Sequence, residues 1–279
     1  MLTISVIQSA QVVISPRDTH KYGLEQGMVH LLSAHFQVIL VMFGFVISFG
    51  IRCNVGVASV QILENNASTE DFKWSPDTVG YVDASFFWGY MVTQLPGGFL
   101  VSKVSATRLF GTAIFLSSCL NLTLPFAAKW SSSAVMAVRL LQGLVEGVTY
   151  PACHGILCWW APPLERSSLA TLAFSGSYSG AVLGLFVSGN LAEQVGWFAP
   201  FYFYGCAGIV WYLFWLWLAF DKPASHPCIS TGEQAYIEHS LGQSDQPAPT
   251  VLSTPWLQVL VIFVCHPHQV FQMLTCPPV

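Results

Sequence analysis

Charged residues are scarce in this chain of 279 residues: only 9% are Asp, Glu, Lys or Arg, whereas 53% are hydrophobic. A soluble domain normally carries about a quarter of charged residues. With a mean hydropathy of +0.56 and 14% aromatic residues, the composition instead predicts an all-α membrane protein that crosses the bilayer several times. The net charge of −4 is small and scattered, so it indicates neither nucleic acid nor an acidic partner.

Sequence signatures of common chemistries are also missing. The chain contains no GxSxG, HExxH or P-loop motif, so we do not predict an enzyme. Its eight cysteines form no CxxC pair and are expected to be buried free thiols. Neither Cys153-His154 nor His266-Pro267-His268 has further ligands at metal-binding spacing, so we expect no metal and no cofactor.

Apolar windows of about 20 residues predict six membrane-spanning helices. They lie at about 36–58, 78–101, 109–128, 134–157, 169–191 and 198–220. We therefore divide the chain into a cytosolic N-terminal segment (1–35), a six-helix bundle (36–220), a polar cytosolic linker (221–255) and a tail (256–279). The apolar part of the tail is too short to span a membrane.

The distribution of basic residues predicts that both ends of the bundle face the cytosol. The inner side would carry Arg17, Lys21, Lys103, Arg108, Arg166 and Lys222, and the outer side only Lys73 and Lys129. The first outer loop also holds Asn66-Ala67-Ser68, a sequon that predicts glycosylation of Asn66.

The fourth predicted span places opposite charges inside an apolar stretch. Arg139 and Glu146 would lie on one helix face, about 20° apart around the axis and about 10 Å apart along it. Ionised groups in the bilayer are costly unless they face partners or a wet cavity. We therefore expect this helix to line a route for an ion or a charged solute.

Two other spans place ionisable residues at the same membrane depth. Arg52 and Arg139 each lie about six residues from the outer end of a span, and Asp83 is similarly placed. With Glu146 about two turns deeper, these groups predict an internally neutralised cluster. Charge within a membrane favours a functional site, and a purely structural network of ion pairs is the alternative.

Uncharged polar residues extend the cluster along two helices. Tyr90 and Gln94 fall within about 20° of Asp83, and Gln142 and Tyr150 within about 60° of Arg139. These polar stripes indicate a shared central cavity, because a helix face turned to lipid has no reason to keep them.

Glycines at small-xxx-small spacing predict close helix packing. They are Gly143 and Gly147 in the fourth span and Gly176, Gly180 and Gly184 in the fifth. Such rows let helix backbones approach each other or slide.

Several long runs of residues resemble one family. They are Gly44–Asn54, Ser85–Tyr90, Thr93–Phe99, Val138–Gly155, Trp160–Ser167 and Gly176–Tyr178. With these runs the chain resembles the vesicular glutamate transporters, in the anion-transporter branch of the major facilitator superfamily. The similarity extends from Gly44 to about Gly242.

The resemblance implies uptake of L-glutamate into synaptic vesicles, driven chiefly by the inside-positive membrane potential and regulated by chloride and protons. Some members move phosphate with sodium, and the plasma membrane is a second expected location. Arg52 and Arg139 match the family's substrate-cavity arginines, and Glu146 matches its carboxylate implicated in proton coupling. We add Tyr90 and Gln94 to the predicted substrate-binding residues, and Asp83 to the predicted proton-coupling residues.

The chain also departs from the family. Asp83 stands where these transporters usually carry a histidine, and Trp159 and Ser168 stand where relatives often have Lys and Arg. Family members have twelve spans in two six-helix halves, so we expect the N-terminal half of the fold, in a truncated vesicular glutamate transporter. We also expect the tail 256–279 to diverge from the family's seventh span and to lack a complete one. The alternatives are a non-transporting half-length isoform that binds and modulates the full-length transporter, or a transporter of sodium and phosphate or of another anion from the same branch.

Overall fold

The computed structural model describes residues 32–65, 75–162, 164–226 and 229–241, and the regular structure in these ranges is helical. The helices are α1 (Leu32–Asn65), α2 (Pro76–Lys103), α3 (Ala106–Trp130), α4 (Ser132–Glu146), α5 (Thr149–Trp160), α6 (Arg166–Gln194), α7 (Ala199–Leu218) and α8 (Thr231–Leu241), with a 3₁₀ turn at Pro223–Ser225. Each predicted span corresponds to one helix, except that the fourth corresponds to both α4 and α5. Asn66 and the tail 256–279 lie outside the described residues.

The fourth span is broken in its middle, whereas we predicted one continuous helix over 134–157. The α4 helix ends at Glu146, where the Gly147 amide still donates to the Gly143 carbonyl at 2.9 Å. Pro151 favours the break, because proline has no N–H to continue the hydrogen-bond ladder and its ring crowds the preceding turn. The Thr149 hydroxyl donates to the Glu146 carbonyl at 2.7 Å and satisfies part of the break. Glu146 therefore lies at a helix end.

Serine caps join successive helices through very short connections. The hydroxyls of Ser75, Ser105 and Ser131 accept hydrogen bonds from backbone amides in the first turns of α2, α3 and α4. A capping hydroxyl satisfies an amide that has no partner within its helix. The α3 and α4 helices are separated by Ser131 alone, which makes them antiparallel neighbours.

Glycine rows bring pairs of helices into close contact, as predicted from their spacing. The α1 helix packs along α6, and α2 packs along α4. A Cβ atom at Gly180 would lie 2.7 Å from the Val46 Cα atom, and one at Gly143 would collide with the Phe86 carbonyl oxygen. Contacts this close exclude any larger residue unless a backbone moves, so glycine sets the spacing of both helix pairs.

Among the residues that the structure describes, four helical segments are long and apolar enough to cross a membrane. They are Ser33–Ile62, Ala106–Trp130, Arg166–Gln194 and Ala199–Leu218. The α2 helix carries polar side chains along its length, and α4 and α5 have only 15 and 12 residues. The six-span count and the cytosolic orientation of the bundle ends remain predictions.

Within the predicted linker the structure adds the α8 helix, which packs against the first turn of α1. The Glu233 carboxylate accepts hydrogen bonds from the backbone amides of Ser33 at 2.9 Å and Ala34 at 3.1 Å. Ile237, one turn further along α8, is fully buried. A carboxylate at the start of a helix satisfies free amides and interacts favourably with the helix dipole.

Candidate functional site

Arg52 on α1 and Glu146 at the end of α4 form a tight ion pair. The Arg52 Nε atom lies 2.7 Å from Glu146 Oε2, and the Glu146 side chain is completely buried. Hydroxyl groups complete its environment: Ser48 donates to Oε2 at 2.9 Å and Ser117 donates to Oε1 at 2.5 Å. A buried carboxylate is tolerated when its charge is paired and both oxygens are hydrogen-bonded.

The Arg52 guanidinium also lies among three aromatic rings. Its Cζ atom is 4.5 Å from the ring centroid of Phe49, 4.9 Å from that of Tyr90 and 5.1 Å from that of Phe86. At these distances a cation is attracted to the negative face of the ring. The rings therefore hold the arginine head in place without using its hydrogen-bond donors.

Arg139 on α4 is held by neutral groups and by a looser ion pair. Its guanidinium donates to the Gln142 side-chain oxygen at 3.3 Å and to the Arg52 carbonyl at 3.4 Å. Its Nη2 atom lies 3.8 Å from Asp83 Oδ1, beyond hydrogen-bond distance. The Arg139 side chain is 3% exposed and the Asp83 side chain 44% exposed.

These contacts confirm that the four charges meet in one cluster. Arg52 and Arg139 lie at the same level, since Arg139 contacts the Arg52 carbonyl, and Asp83 reaches them from α2. The predicted neutralisation takes the form of two separate ion pairs. Glu146, expected to lie deeper, reaches Arg52 directly.

Three buried donors of the cluster have no hydrogen-bond partner among the described residues. They are Arg52 Nη2, Arg139 Nε and the Tyr90 hydroxyl. Buried donors are normally paired, and two of these belong to charged groups. This unused capacity is what an anion with several oxygen atoms would satisfy. Gln94, also predicted to bind substrate, is half-buried and takes part in none of the cluster contacts given above.

A sequence profile described as Major Facilitator Superfamily matches residues 31–275. The chain belongs to the major facilitator superfamily. Residues 256–275 of the tail fall within the match, and their predicted divergence from a seventh span remains a prediction. The superfamily fold accords with a helical membrane protein whose polar side chains meet inside the bundle.

The curated relatives from this superfamily include vesicular glutamate transporters. The chain is 48% identical over 264 residues to vesicular glutamate transporter 3 of Danio rerio, covering 91% of this chain and 45% of the relative. It is 51% identical over 224 residues to vesicular glutamate transporter 2 of Homo sapiens, covering 76% of this chain and 38% of the relative. The chain thus spans less than half the length of these relatives.

Sequence reasoning missed the hydroxyl and ring partners of the charges. Ser48 lies four residues before Arg52, and this helical spacing places both on one face of α1. Phe86 lies three residues after Asp83 on α2 and faces both arginine heads, with the Arg139 Cζ atom 5.1 Å from its ring. Their spacing from a charged residue on the same helix was therefore a signal from which both could have been predicted. Ser117 on α3 gave no such signal, because its partner belongs to another helix.

Proposed function

We propose that this chain forms part of a membrane transporter for organic anions, with L-glutamate as the first candidate substrate. The observation that carries the proposal is the buried group of Arg52, Arg139 and Tyr90, in which each residue keeps a hydrogen-bond donor without a partner. A carboxylate matches the planar donor fork of an arginine. The relatives named as vesicular glutamate transporters support this choice of substrate.

In this proposal the two arginines hold carboxylates of the substrate while Tyr90 and Gln94 orient it. Glu146 is the proton-coupling residue, since protonating it would remove the charge that holds Arg52 and free the guanidinium for the substrate. Asp83 has the same proposed proton-coupling role toward Arg139, because its carboxylate pairs with that arginine. At each arginine, a carboxylate of the substrate takes the place of a carboxylate of the protein. This exchange needs no organic cofactor.

The proposed driving force is the potential across a vesicle membrane. Moving one negative charge toward an inside-positive compartment gains about 2.3 kcal/mol per 100 mV, a concentration ratio of roughly 50. Synaptic vesicles are the proposed location, and chloride is a proposed regulator. Phosphate with sodium and other organic anions are the competing substrates.

The test is uptake of radiolabelled L-glutamate into liposomes that contain the complete transporter of which this chain forms part, with an imposed inside-positive potential. We expect uptake by the wild type and at least a ~10-fold loss in Arg139→Gln, because one bidentate charged contact is removed. Arg139→Lys keeps the charge without the fork and should recover little. Lys129→Gln, which removes an exposed cation outside the cluster, is the matched control.

Three results would contradict or redirect the proposal. Undiminished uptake by correctly inserted Arg139→Gln would overturn the site. Preference for phosphate or another anion over L-glutamate would change the substrate. Co-purification of this chain with a full-length transporter, together with no uptake by the chain alone, would favour the non-transporting partner.

A further inference from the structure

Asp83 is the exposed member of a loose pair whose arginine is buried. Its side chain is 44% exposed whereas that of Arg139 is 3% exposed, so the accessible side of this pair is negative. A charged carboxylate that faced hydrocarbon would be strongly disfavoured, so Asp83 must face water or a polar surface. A dissolved anion that approaches Arg139 therefore meets Asp83.

The contact between Asp83 and Arg139 leaves donors of the arginine unused. The closest approach is 3.8 Å, and the Nε atom of Arg139 has no hydrogen-bond partner among the described residues. By contrast, Glu146 holds Arg52 at 2.7 Å and is itself fixed by two serine hydroxyls. The Asp83 carboxylate has no comparable anchor among the hydrogen bonds of the described residues. It is therefore the carboxylate of the cluster that is free to be displaced.

We propose that Asp83 acts as an internal competitor that sets the affinity for anions at Arg139. In the empty site its carboxylate neutralises Arg139, and a substrate carboxylate must displace it to gain the arginine fork. Asp83 would thereby determine affinity and selectivity without itself holding the substrate. The inference rests on the proposed function, since it takes Arg139 as a binding group for a carboxylate.

Two consequences distinguish a competitor from a purely structural ion pair. Removing the negative charge of Asp83 should strengthen anion binding, because like charges placed together oppose it. The gain should also depend on Arg139, because only that cation is released. If the pair were purely structural, neutralising Asp83 would instead lower the stability of the protein. The affinity for anions would then be unchanged or weaker.

The experiment is a calorimetric titration of L-glutamate into the complete transporter of which this chain forms part, in lipid nanodiscs at fixed ionic strength. We expect Asp83→Asn to lower the dissociation constant at least ~10-fold, since it removes a like charge beside the bound anion. Asp83→Ser provides a second neutral variant should the first not fold, and Asp83→Glu, which keeps the charge, should show no gain. Asp77→Asn is the matched control, because it removes an exposed carboxylate from the same helix.

The double variant Asp83→Asn/Arg139→Gln completes the test, and we expect it to lose the gain. Unchanged or weaker binding by folded neutral variants would overturn the inference while leaving the proposed function in place. An equal gain in Asp77→Asn would also overturn it, because the effect would then belong to net charge. Absence of binding in the wild type and in both neutral variants would overturn the inference and the proposed function together.

Discussion

The pairs Arg52–Glu146 and Arg139–Asp83 join the same kinds of group but differ in closeness and exposure. The first is separated by 2.7 Å and has a completely buried carboxylate, whereas the second is separated by 3.8 Å and has a half-exposed one. Serine hydroxyls fix Glu146 from two helices. The difference makes Arg52–Glu146 the firmer pair, which in the proposed function separates only when Glu146 is protonated. The Arg139–Asp83 pair is the looser one, which an anion can displace.

Glu146→Ala should cause the largest loss of stability among the variants of the two pairs. It leaves the Arg52 charge buried without its partner, a change that costs about 3–5 kcal/mol in other proteins. The measurement is the free energy of unfolding in detergent, followed by tryptophan fluorescence. Glu146→Gln keeps an acceptor for Ser117 and should lose less. A loss below about 1 kcal/mol in Glu146→Ala would show that this pair behaves like an exposed one.

Ser117→Ala tests how much the firmer pair depends on its hydroxyl groups, because it removes one hydrogen bond to Glu146. A hydrogen bond to a charged group contributes about 1.5–3 kcal/mol, and we expect a loss of unfolding free energy in that range. Ser179→Ala is the control, because the Ser179 hydroxyl is exposed and bonds only carbonyls of its own helix. The control should change stability by less than about 0.5 kcal/mol. Equal effects of the two variants would argue against a special role for Ser117.

Gly143→Ala would move the helices that carry the looser pair. The added methyl group would collide with the Phe86 carbonyl, forcing α2 away from α4 and Asp83 away from Arg139. Overpacking of this kind costs about 1–3 kcal/mol, measured again as the free energy of unfolding. Gly98→Ala on α2 meets open space and serves as the control. Tolerance of Gly143→Ala without loss would mean that the helix pair is not closely fixed.

Asp83→Asn should have the smallest effect on stability. Its carboxylate is half-exposed and beyond hydrogen-bond distance of Arg139. Arg139 keeps its hydrogen bonds to Gln142 and to the Arg52 carbonyl, so we expect a loss of only about 0–1 kcal/mol. A double-mutant cycle with Arg139→Gln measures the coupling energy, which the cycle of Glu146→Gln with Arg52→Gln should exceed. Equal coupling energies in the two cycles would remove the distinction between the pairs.

Helix positions and the depth of the charges could be predicted because both follow from one helix at a time. Apolar length located the helices, and counting from the ends of the spans placed Arg52, Arg139 and Asp83 at one level. The pairing of Arg52 with Glu146 depends on how helices pack, so the sequence supplied the members of the cluster without their partners. Ser117 illustrates the limit, because nothing on α3 marks it as a neighbour of a carboxylate on α4.

The break between α4 and α5 could have been predicted from a local feature of the sequence, but the continuous hydropathy of the segment favoured one unbroken helix. Pro151 interrupts the hydrogen-bond ladder, while the apolar run continues on both sides and favours a single span. The α8 helix was not predicted because the segment of sequence around it is polar and rich in proline, serine and glutamine, a composition typical of a linker. Its place in the structure is marked by the hydrogen bonds of Glu233 to the start of α1 and by the complete burial of Ile237.

The cap that Glu233 places on α1 has a consequence for the order in which the protein is made. Ser33 and Glu233 are separated by 200 positions in the chain. Synthesis proceeds from the N-terminus, so the ribosome completes all of α1 to α7 before it adds Glu233. Until then the Glu233 carboxylate is not there to accept hydrogen bonds from the Ser33 and Ala34 amides. The N-terminal end of α1, the first described helix to be synthesised, is thus capped by a residue that is synthesised only after α7.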